Sequence, residues 1–204
     1  MARHTQEDRS RATRSALVTT ARRLFAERGY ADVSSTEIVA AAGLSRGALY
    51  HHYADKKDLL RAVFVEIESE LSTEIQGAAA ALGDQAELAM AITAGLDAYL
   101  SACERPEVVR IVLTDAPAVL GWQAWREIEA EHGLGLISTM LEEAMAAGLV
   151  ARQPVRVLAQ LLMSALIEAA LLVAAAGEDR SAVRAEVRQA LVTLFAGLIT
   201  PQSG

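Results

Sequence analysis

The side chains best suited to binding chemistry lie between residues 35 and 56, where hydrogen-bond donors that could contact a polyanion are concentrated. Arg46 can donate two hydrogen bonds to the O6 and N7 atoms of a guanine, and Ala48 can pack on a thymine methyl group. Gly47 has no side chain, so the backbone can approach a partner closely there. These residue types in this order predict that one short segment reads the base edges of a DNA duplex.

A second set of donors in the same segment suits phosphate groups. Ser35 and Thr36 stand at a predicted helix N-terminus, where hydroxyl and backbone N–H groups together can bind a phosphate. Further donors within reach of phosphates or base edges are Tyr50, His51, His52 and Lys56. Both sets would have to be held on one face by the local fold.

Local signals predict how these residues are positioned. Ser34 with Glu37 three residues later forms a capping-box pattern that opens a short helix. Gly43 supplies the left-handed conformation needed for a tight turn, and Ser45 can cap a second helix from Arg46 to about residue 52. A supporting helix from residue 11 ends before Gly29, giving the layout of a helix-turn-helix unit. Its predicted core is Leu24, Phe25, Ile38, Leu44 and Leu49.

Charge is divided unevenly along the 204 residues. Residues 1–62 hold eleven Lys/Arg and seven Asp/Glu, a net charge of +4, whereas the rest carries a net charge of −11. A basic N-terminal part on an acidic body is typical of a small polyanion-binding module attached to a domain with another role.

The run LFAERGYADVSSTEIVAAAGLSRGALYHHYADKKDLL closely resembles the N-terminal domain of TetR-family (tetracycline-repressor-like) transcriptional regulators, over roughly residues 12–62. The resemblance implies base contacts from Arg46, Gly47, Ala48 and His51. It implies phosphate contacts from Ser35, Thr36, Tyr50, His52 and Lys56. Ala48 stands where many members have Thr, and His52-Tyr53 stands where another residue and Phe are frequent.

The rest of the chain is predicted to be helical. Forty-one alanines and few prolines favour close-packed helices over a β sandwich. A long helix is predicted from residue 56, with Asp55 as its cap. Further helices are predicted over 84–102, 106–114, 118–147, 154–176 and 181–199, with breaks at Gly83, Pro106, Pro117, Gly148, Pro154 and Gly177. The predicted class is therefore all-α, with a disordered tail (1–10), a helix-turn-helix DNA-binding domain (11–55) and a helical domain (56–204).

The C-terminal domain is predicted, from the resemblance, to bind a small molecule and to dimerise. Helices 154–176 and 181–199 carry apolar faces too extensive for one small body, so they favour a homodimeric four-helix bundle and a palindromic operator. Apolar residues with Glu168 as the best polar candidate form the predicted effector pocket: Phe64, Ile67, Leu96, Tyr99, Trp122, Trp125, His132, Met163 and Glu168. Glu168 could orient a cationic ligand, pair with an arginine across the dimer, or lie in a partly wet gap.

Composition and motifs also weigh against several classes of protein. A single cysteine excludes an intrachain disulfide framework, and neither HExxH, an EF-hand pattern nor a glycine-rich phosphate loop occurs. Residues 157–176 are long and apolar enough for a membrane span, but Glu168 near the centre and many alanines favour burial in an interface. The start of the chain has no secretory signal pattern.

The prediction is thus a cytoplasmic, ligand-responsive transcriptional repressor that is not an enzyme and uses no cofactor. Two alternatives stay open. One is an architectural DNA-binding protein without a ligand, and the other is a helical small-molecule-binding protein or enzyme.

Overall fold

The computed structural model describes residues 2–81 and 88–199. In these ranges the regular elements are helical, apart from one antiparallel bridge between Val150 and Ile199. The nine α-helices of the described residues are α1 (Ala2–Arg28), α2 (Ser35–Ala41), α3 (Arg46–His52), α4 (Lys56–Ala80), α5 (Leu88–Cys103), α6 (Ala116–Leu120), α7 (Trp122–Ala146), α8 (Val155–Ala175) and α9 (Arg180–Ala196). A π-helix spans Val108–Asp115, and a 3-10 turn spans Gly177–Asp179. The all-α prediction is confirmed.

Three predicted boundaries differ from the structure. Helix α1 begins at Ala2, so residues 2–10 are helical rather than a disordered tail. The segment predicted as a helix over 106–114 is instead a π-helix, in which the hydroxyl of Thr114 donates to the carbonyl of Val109 at 2.7 Å. Pro117 does not separate two helices, contrary to the prediction from sequence. It lies in the first turn of α6, where a missing N–H costs nothing, and the break comes at Gly121.

The chain divides into two compact units. Unit 1 comprises residues 1–67 and 106–125, and unit 2 comprises residues 68–105 and 126–204. This division differs from the predicted boundary after residue 55, because the first half of α4 and the segment 106–125 belong to unit 1. Long helices α4 and α7 each contribute residues to both units.

Unit 1 has a continuous apolar interior. Apolar residues in the first half of α4 are buried there together with side chains of α1, α2, α3 and the π-helix. Its fully enclosed members include Leu17, Phe25, Ile38, Leu49, Leu59, Leu60, Phe64, Ile111 and Trp125. Burial of these side chains fixes the short helices α2 and α3, which are too short to be stable alone.

Unit 2 packs α8 against α9 and α5. Its interior includes Leu96, Leu100, Leu141, Met163, Ile167, Val173, Leu191 and Phe195. Asp97 on α5 accepts two hydrogen bonds from Arg188 on α9, at 2.5 and 3.0 Å. These bonds lower the pKa of Asp97 and so help to tie α9 to α5.

Helix α8 is the described helix that is long and apolar enough to cross a membrane, with a mean hydropathy of 2.2 in its most apolar window. Only 39% of that window is buried inside the chain. Ala159, Leu162 and Met163 are among its buried residues, whereas Val157, Leu161 and Leu172 are largely exposed. The helix is therefore half core and half uncovered apolar surface.

Candidate DNA interface and ligand-binding core

Two side-chain caps set the ends of the helix-turn-helix. The Ser34 hydroxyl accepts from the backbone N–H of Glu37 at 3.2 Å, and the Glu37 carboxylate accepts from the backbone N–H of Ser34 at 2.8 Å. These bonds, with Arg28, lower the pKa of Glu37 to about 2. Ser45 caps α3 by accepting from the N–H of Ala48 at 3.2 Å. The capping box and the second cap predicted from sequence are confirmed.

The turn between α2 and α3 is fixed by Gly43, whose φ of 66° lies in the left-handed region. Leu49 on the inner face of α3 is fully enclosed, and Ile38 on α2 is likewise. Leu44, predicted to be core, is only partly buried. Burial of Leu49 and the turn at Gly43 therefore fix how α3 is oriented within unit 1.

The opposite face of α3 is open to solvent. Arg46, Gly47 and His51 are exposed, and the Tyr50 side chain is 51% exposed. Ala48 and His52 are half-buried. The structure therefore brings three of the predicted base-reading residues, Arg46, Gly47 and His51, onto one solvent-facing strip together with Tyr50, as a DNA-reading helix requires.

Ser35 and Thr36 lie in the first turn of α2, Ser35 half-buried and Thr36 exposed. His52 stacks edge-on against His51, with ring centroids 4.9 Å apart. Partial burial, then repulsion from His51 and Arg14, lowers the pKa of His52. His52 is therefore a neutral hydrogen-bond donor near pH 7 rather than a cation.

The ammonium group of Lys56, which is predicted to contact a phosphate, makes its observed contacts within unit 1. It donates to the carbonyls of Tyr30 and Val33 at 2.9 and 2.8 Å, and it lies 3.9 Å from the centre of the Tyr30 ring. These contacts use the ammonium within unit 1, where it holds the loop after α1 against the start of α4. The neighbouring Lys57 is exposed.

The segment 106–125 supplies unit 1 with polar contacts that local sequence patterns did not predict. Glu107 accepts two hydrogen bonds from Arg22 of α1, at 3.0 and 2.9 Å. Asp115 accepts from the backbone N–H of Tyr30 at 2.8 Å, and Arg110 donates to the Arg28 carbonyl at 3.1 Å. The π-helix is thereby fastened to the end of α1. No short-range signal could reveal this, because the partners are more than eighty residues apart.

The predicted effector-pocket residues fall into both units. Phe64, Ile67, Trp122 and Trp125 belong to unit 1. Phe64, Ile67 and Trp125 are fully enclosed, and the Trp125 ring N–H donates to the Val112 carbonyl at 2.9 Å. The Trp122 side chain is 60% exposed although its ring lies 4.8 Å from that of Trp125. The tryptophans are thus one core residue and one surface residue, not one continuous stripe.

In unit 2, Leu96 and Met163 are buried, and Tyr99 and His132 are half-buried. The Tyr99 hydroxyl donates to the Leu166 carbonyl at 2.9 Å. Glu168, the polar candidate for the pocket, is exposed. Its position on the outer side of α8 separates it from the buried Leu96 and Met163, because successive helical residues point in different directions.

Two buried acids in unit 2 escaped the sequence analysis. Glu68 on α4 and Glu129 on α7 have only 7% and 9% of their surface exposed. Burial, followed by repulsion from Glu129, raises the pKa of Glu68 well above its usual range. Burial also raises the pKa of Glu129. In sequence both acids look like ordinary polar residues of amphipathic helices, so only the tertiary structure distinguishes them.

Comparison with known proteins agrees with this architecture. Residues 17–63 match the family described as bacterial regulatory proteins, tetR family. Residues 89–198 match the family described as tetracyclin repressor-like, C-terminal domain. The two matches together cover most of both units.

Individual relatives are similar over different lengths. A crystal structure of a TetR-family transcriptional regulator from Pectobacterium atrosepticum superposes with a TM-score of 0.82 at 37% identity, covering 95% of this chain and 97% of that one. The Transposon Tn10 TetC protein of Escherichia coli is 27% identical over 142 residues, 68% of each chain. The HTH-type transcriptional repressor Rv1474c of Mycobacterium tuberculosis is 32% identical over 116 residues, 57% of this chain and 59% of the relative.

An open recognition face held by two caps, an all-helical body and matches to both family domains lead to one assignment. The chain belongs to the TetR family, and it is a DNA-binding transcriptional regulator.

Proposed function

We propose that the protein is a homodimeric, ligand-responsive repressor that binds a palindromic operator in the cytoplasm. The observation that carries the proposal is the exposed strip of α3 formed by Arg46, Gly47, Tyr50 and His51. Caps at both short helices and the enclosed Leu49 hold this strip in one orientation. A helix prepared in this way loses little conformational freedom when it enters a major groove.

The individual DNA contacts are assigned by chemistry and exposure. Base edges are assigned to Arg46, Gly47, Ala48 and His51, and phosphates to Ser35, Thr36, Tyr50 and His52. The contact first assigned to Lys56 is transferred to Lys57, because the Lys56 ammonium is held by two carbonyls whereas Lys57 is exposed. Neutral His52 would contribute a hydrogen bond rather than a full charge.

Dimerisation through α8 and α9 is supported by the surface that these helices leave uncovered. Val157, Leu161 and Leu172 on α8 are 53%, 63% and 49% exposed, and Leu194 on α9 is 45% exposed. The three α8 residues share one side of the helix, since their spacings are close to whole turns. Glu168 lies on the same side, which favours a role at the dimer interface over a role in the effector pocket. A second copy covering this side would remove the exposed apolar surface from water.

Response to a ligand is supported by the family, whose C-terminal domains bind small molecules. One solved relative, RolR, is described as a complex with resorcinol, at 19% identity and a TM-score of 0.70. For this chain, a ligand bound within the helical body would favour a conformer in which the two α3 helices no longer fit successive major grooves. Its differential affinity for the two conformers would set the extent of release from DNA.

The test is selection of bound duplexes from a random DNA pool at near-physiological salt. Wild-type protein should enrich a palindrome. Arg46→Ala should weaken binding to that palindrome by about 1–3 kcal/mol, since a bidentate arginine–guanine contact is lost. Arg152→Ala is the matched control. It removes the same charge from an exposed position in unit 2 and should bind the palindrome normally.

Other outcomes would contradict parts of the proposal. An unchanged operator affinity in Arg46→Ala would remove Arg46 from the reading residues. Retention of DNA without an enriched sequence, with a steep salt dependence, would indicate an architectural protein. Enrichment of single half-sites by a monomer would exclude the dimer. In a reporter strain, loss of the protein should raise expression from the selected operator, and a fall would indicate an activator.

A further inference from the structure

Two buried carboxyl groups lie inside unit 2 on neighbouring helices. The Ser72 hydroxyl of α4 donates to the His132 carbonyl of α7 at 3.3 Å, so the two helices touch. Glu68 and Glu129 each lie about one helical turn before these contact residues. They are close enough for the charge on one to raise the pKa of the other. The same two acids also act on the Tyr99 hydroxyl and the Cys103 thiol of α5.

Neither acid has a partner within the described ranges 2–81 and 88–199. Hydrogen bonds and ion pairs of the described residues include none to the carboxylate of Glu68 or Glu129. Arg126 is an electrostatic neighbour of Glu129, but its guanidinium donates to the Ser164 hydroxyl at 3.1 Å. Buried carboxyl groups are almost always paired, because loss of hydration is otherwise uncompensated. Two such groups, each more than nine-tenths buried, are therefore an unusual concentration of unused acceptors.

The carboxyl oxygens also keep contact with accessible space. Among the described residues, the fully enclosed polar side-chain atoms without a partner are Tyr53 Oη and the Nε atoms of Arg105, Arg180 and Arg184. The oxygens of Glu68 and Glu129 are not in that group, although both residues are buried. These unpaired oxygens therefore remain accessible although the residues that carry them are buried. A ligand that reaches them would meet acceptors from two helices.

The surroundings indicate an organic cation rather than a metal ion. In the described part of the chain, no group of three or more His, Cys, Asp or Glu residues could hold a metal. Two carboxylates alone would leave most positions around a hard divalent cation to water. The nearby interior is apolar and thioether-lined: Met163 contacts the Gly133 position of α7, and Leu96 is buried on α5. Such walls suit the apolar body of a lipophilic ammonium or phosphonium ion.

We propose that Glu68 and Glu129 form the charge-recognition site for a lipophilic organic cation, which is the effector class of this regulator. This inference rests on the proposed ligand response. The cation would sit between the two carboxylates, supply the positive charge that the interior lacks, and place its apolar part among the side chains of unit 2. Each carboxylate would then gain the compensation that it lacks in the free protein.

The test uses the full-length protein and calorimetric titration without DNA. The probes are tetramethylammonium, benzyltrimethylammonium and tetraphenylphosphonium. Neopentylbenzene is the uncharged counterpart of benzyltrimethylammonium, and tetraphenylborate is the anionic counterpart of tetraphenylphosphonium. At least one of the two larger cations should bind, at least about tenfold more tightly than its counterpart. Glu68→Gln and Glu129→Gln should each weaken binding of that cation by about tenfold or more, since each removes a carboxyl group that can ionise beside the cation and changes little volume.

Glu131→Gln is the matched control, because it makes the same change at an exposed position of α7. It should alter cation affinity less than about twofold, as expected for a solvent-screened charge. Circular dichroism and unfolding of each variant establish that it is folded. Absence of binding by all three cations, equal binding of the uncharged counterpart, or unchanged affinity in both buried variants would each overturn the inference.

A second measurement separates this inference from the proposed function. Operator affinity is measured with and without the bound cation. Cation binding that depends on Glu68 and Glu129 but leaves operator affinity unchanged would uphold the site and contradict its role as the effector site. Operator release by the uncharged counterpart alone would uphold ligand response and overturn cation recognition.

Discussion

The two compact units differ in whether their least exposed charged groups have partners. In unit 1, the Lys56 ammonium is held by two backbone carbonyls and a tyrosine ring, and Asp115 accepts the N–H of Tyr30. In unit 2, Glu68 and Glu129 are buried without a hydrogen bond or ion pair among the described residues. Among the described residues, Lys56 and Asp115 thus have partners within unit 1, whereas Glu68 and Glu129 of unit 2 have none.

This difference matches what each unit has to do. A DNA-reading helix gains from a rigid support, since any motion of α3 would have to be lost on binding. A ligand site gains from unpaired groups, because a ligand that completes their pairing obtains binding free energy that no internal contact has already taken. A charged group with little exposure is thus structural in unit 1, whereas the two acids of unit 2 are the basis of the cation site that we propose.

The largest expected change in stability in unit 1 comes from substitution of one of its two tryptophans. Trp125 is fully enclosed and its ring N–H is bonded to Val112, whereas Trp122 is 60% exposed. Trp125→Ala should lower the free energy of unfolding by about 3–5 kcal/mol, the cost of a large core cavity. Trp122→Ala should change it by less than about 0.5 kcal/mol, as for other surface substitutions. Urea unfolding of both variants measures the difference, and similar losses would show that unit 1 is not closed at Trp125.

A smaller loss of stability is expected from a substitution at Gly29, where α1 meets the π-helix. Gly29 and Gly43 both have positive φ, 85° and 66°, so alanine at either position is strained by about 1–2 kcal/mol. At Gly29 the added Cβ would also overlap the Arg110 guanidinium, which donates to the Arg28 carbonyl, whereas Gly43 has open space. Gly29→Ala should therefore cost about 1 kcal/mol more than Gly43→Ala in thermal or urea unfolding. Equal costs would mean that Arg110 moves aside without loss.

Substitution of Lys56 tests whether the stability of unit 1 depends on the contacts of this ammonium group within the unit. Lys56→Met keeps most of the aliphatic stem but removes two charge-assisted hydrogen bonds and the contact with Tyr30. Because the site is partly exposed to solvent, we expect a loss of about 1–2 kcal/mol of unfolding free energy. Lys57→Met should leave stability unchanged but weaken operator binding and reduce its salt dependence. The reverse pattern would restore the phosphate contact to Lys56.

The sequence was informative where interactions are local. Ser34 and Ser45 bond to residues three positions away, so the caps, the turn at Gly43 and the whole helix-turn-helix could be predicted. The partners of Lys56 are 26 and 23 residues distant, and its internal role could not be read from its place at a helix start. Likewise, both tryptophans are predicted from sequence to line the effector pocket, but the break at Gly121 sets Trp122 at the exposed beginning of α7.

The same limit explains the acids of unit 2. Glu168 stood out in sequence because its neighbours are apolar, yet a helix apolar on most sides can turn such a residue outward toward a partner subunit. Glu68 and Glu129 stand among other charged residues and gave no signal. Which carboxylate is desolvated depends on the packing of α4 against α7, which no short window of sequence contains.

The smallest expected effect is the change in unfolding free energy when the charge of Glu129 in unit 2 is removed. Its sign is opposite to that expected for removal of the Lys56 charge in unit 1. Burial raises the pKa of Glu129 from 4.5 to about 7, with Glu68, Tyr99 and Cys103 adjacent and Arg126 acting in the opposite sense. A carboxyl group whose folded pKa is raised binds more protons in the folded than in the unfolded state between these two values. The wild-type protein should therefore lose stability as pH rises from about 4.5 to about 7.

Glu129→Gln removes the charge and should raise the unfolding free energy by roughly 1 kcal/mol at pH 8. At pH 5 it should change little, because the wild-type carboxyl is already protonated there. Removal of a buried charge would thus stabilise unit 2, whereas removal of the Lys56 charge destabilises unit 1. Thermal unfolding of Glu129→Gln and the control Glu131→Gln at both pH values tests this. A destabilised Glu129→Gln at pH 8 would mean that the Glu129 carboxylate is paired in solution, and the contrast between the units would fail.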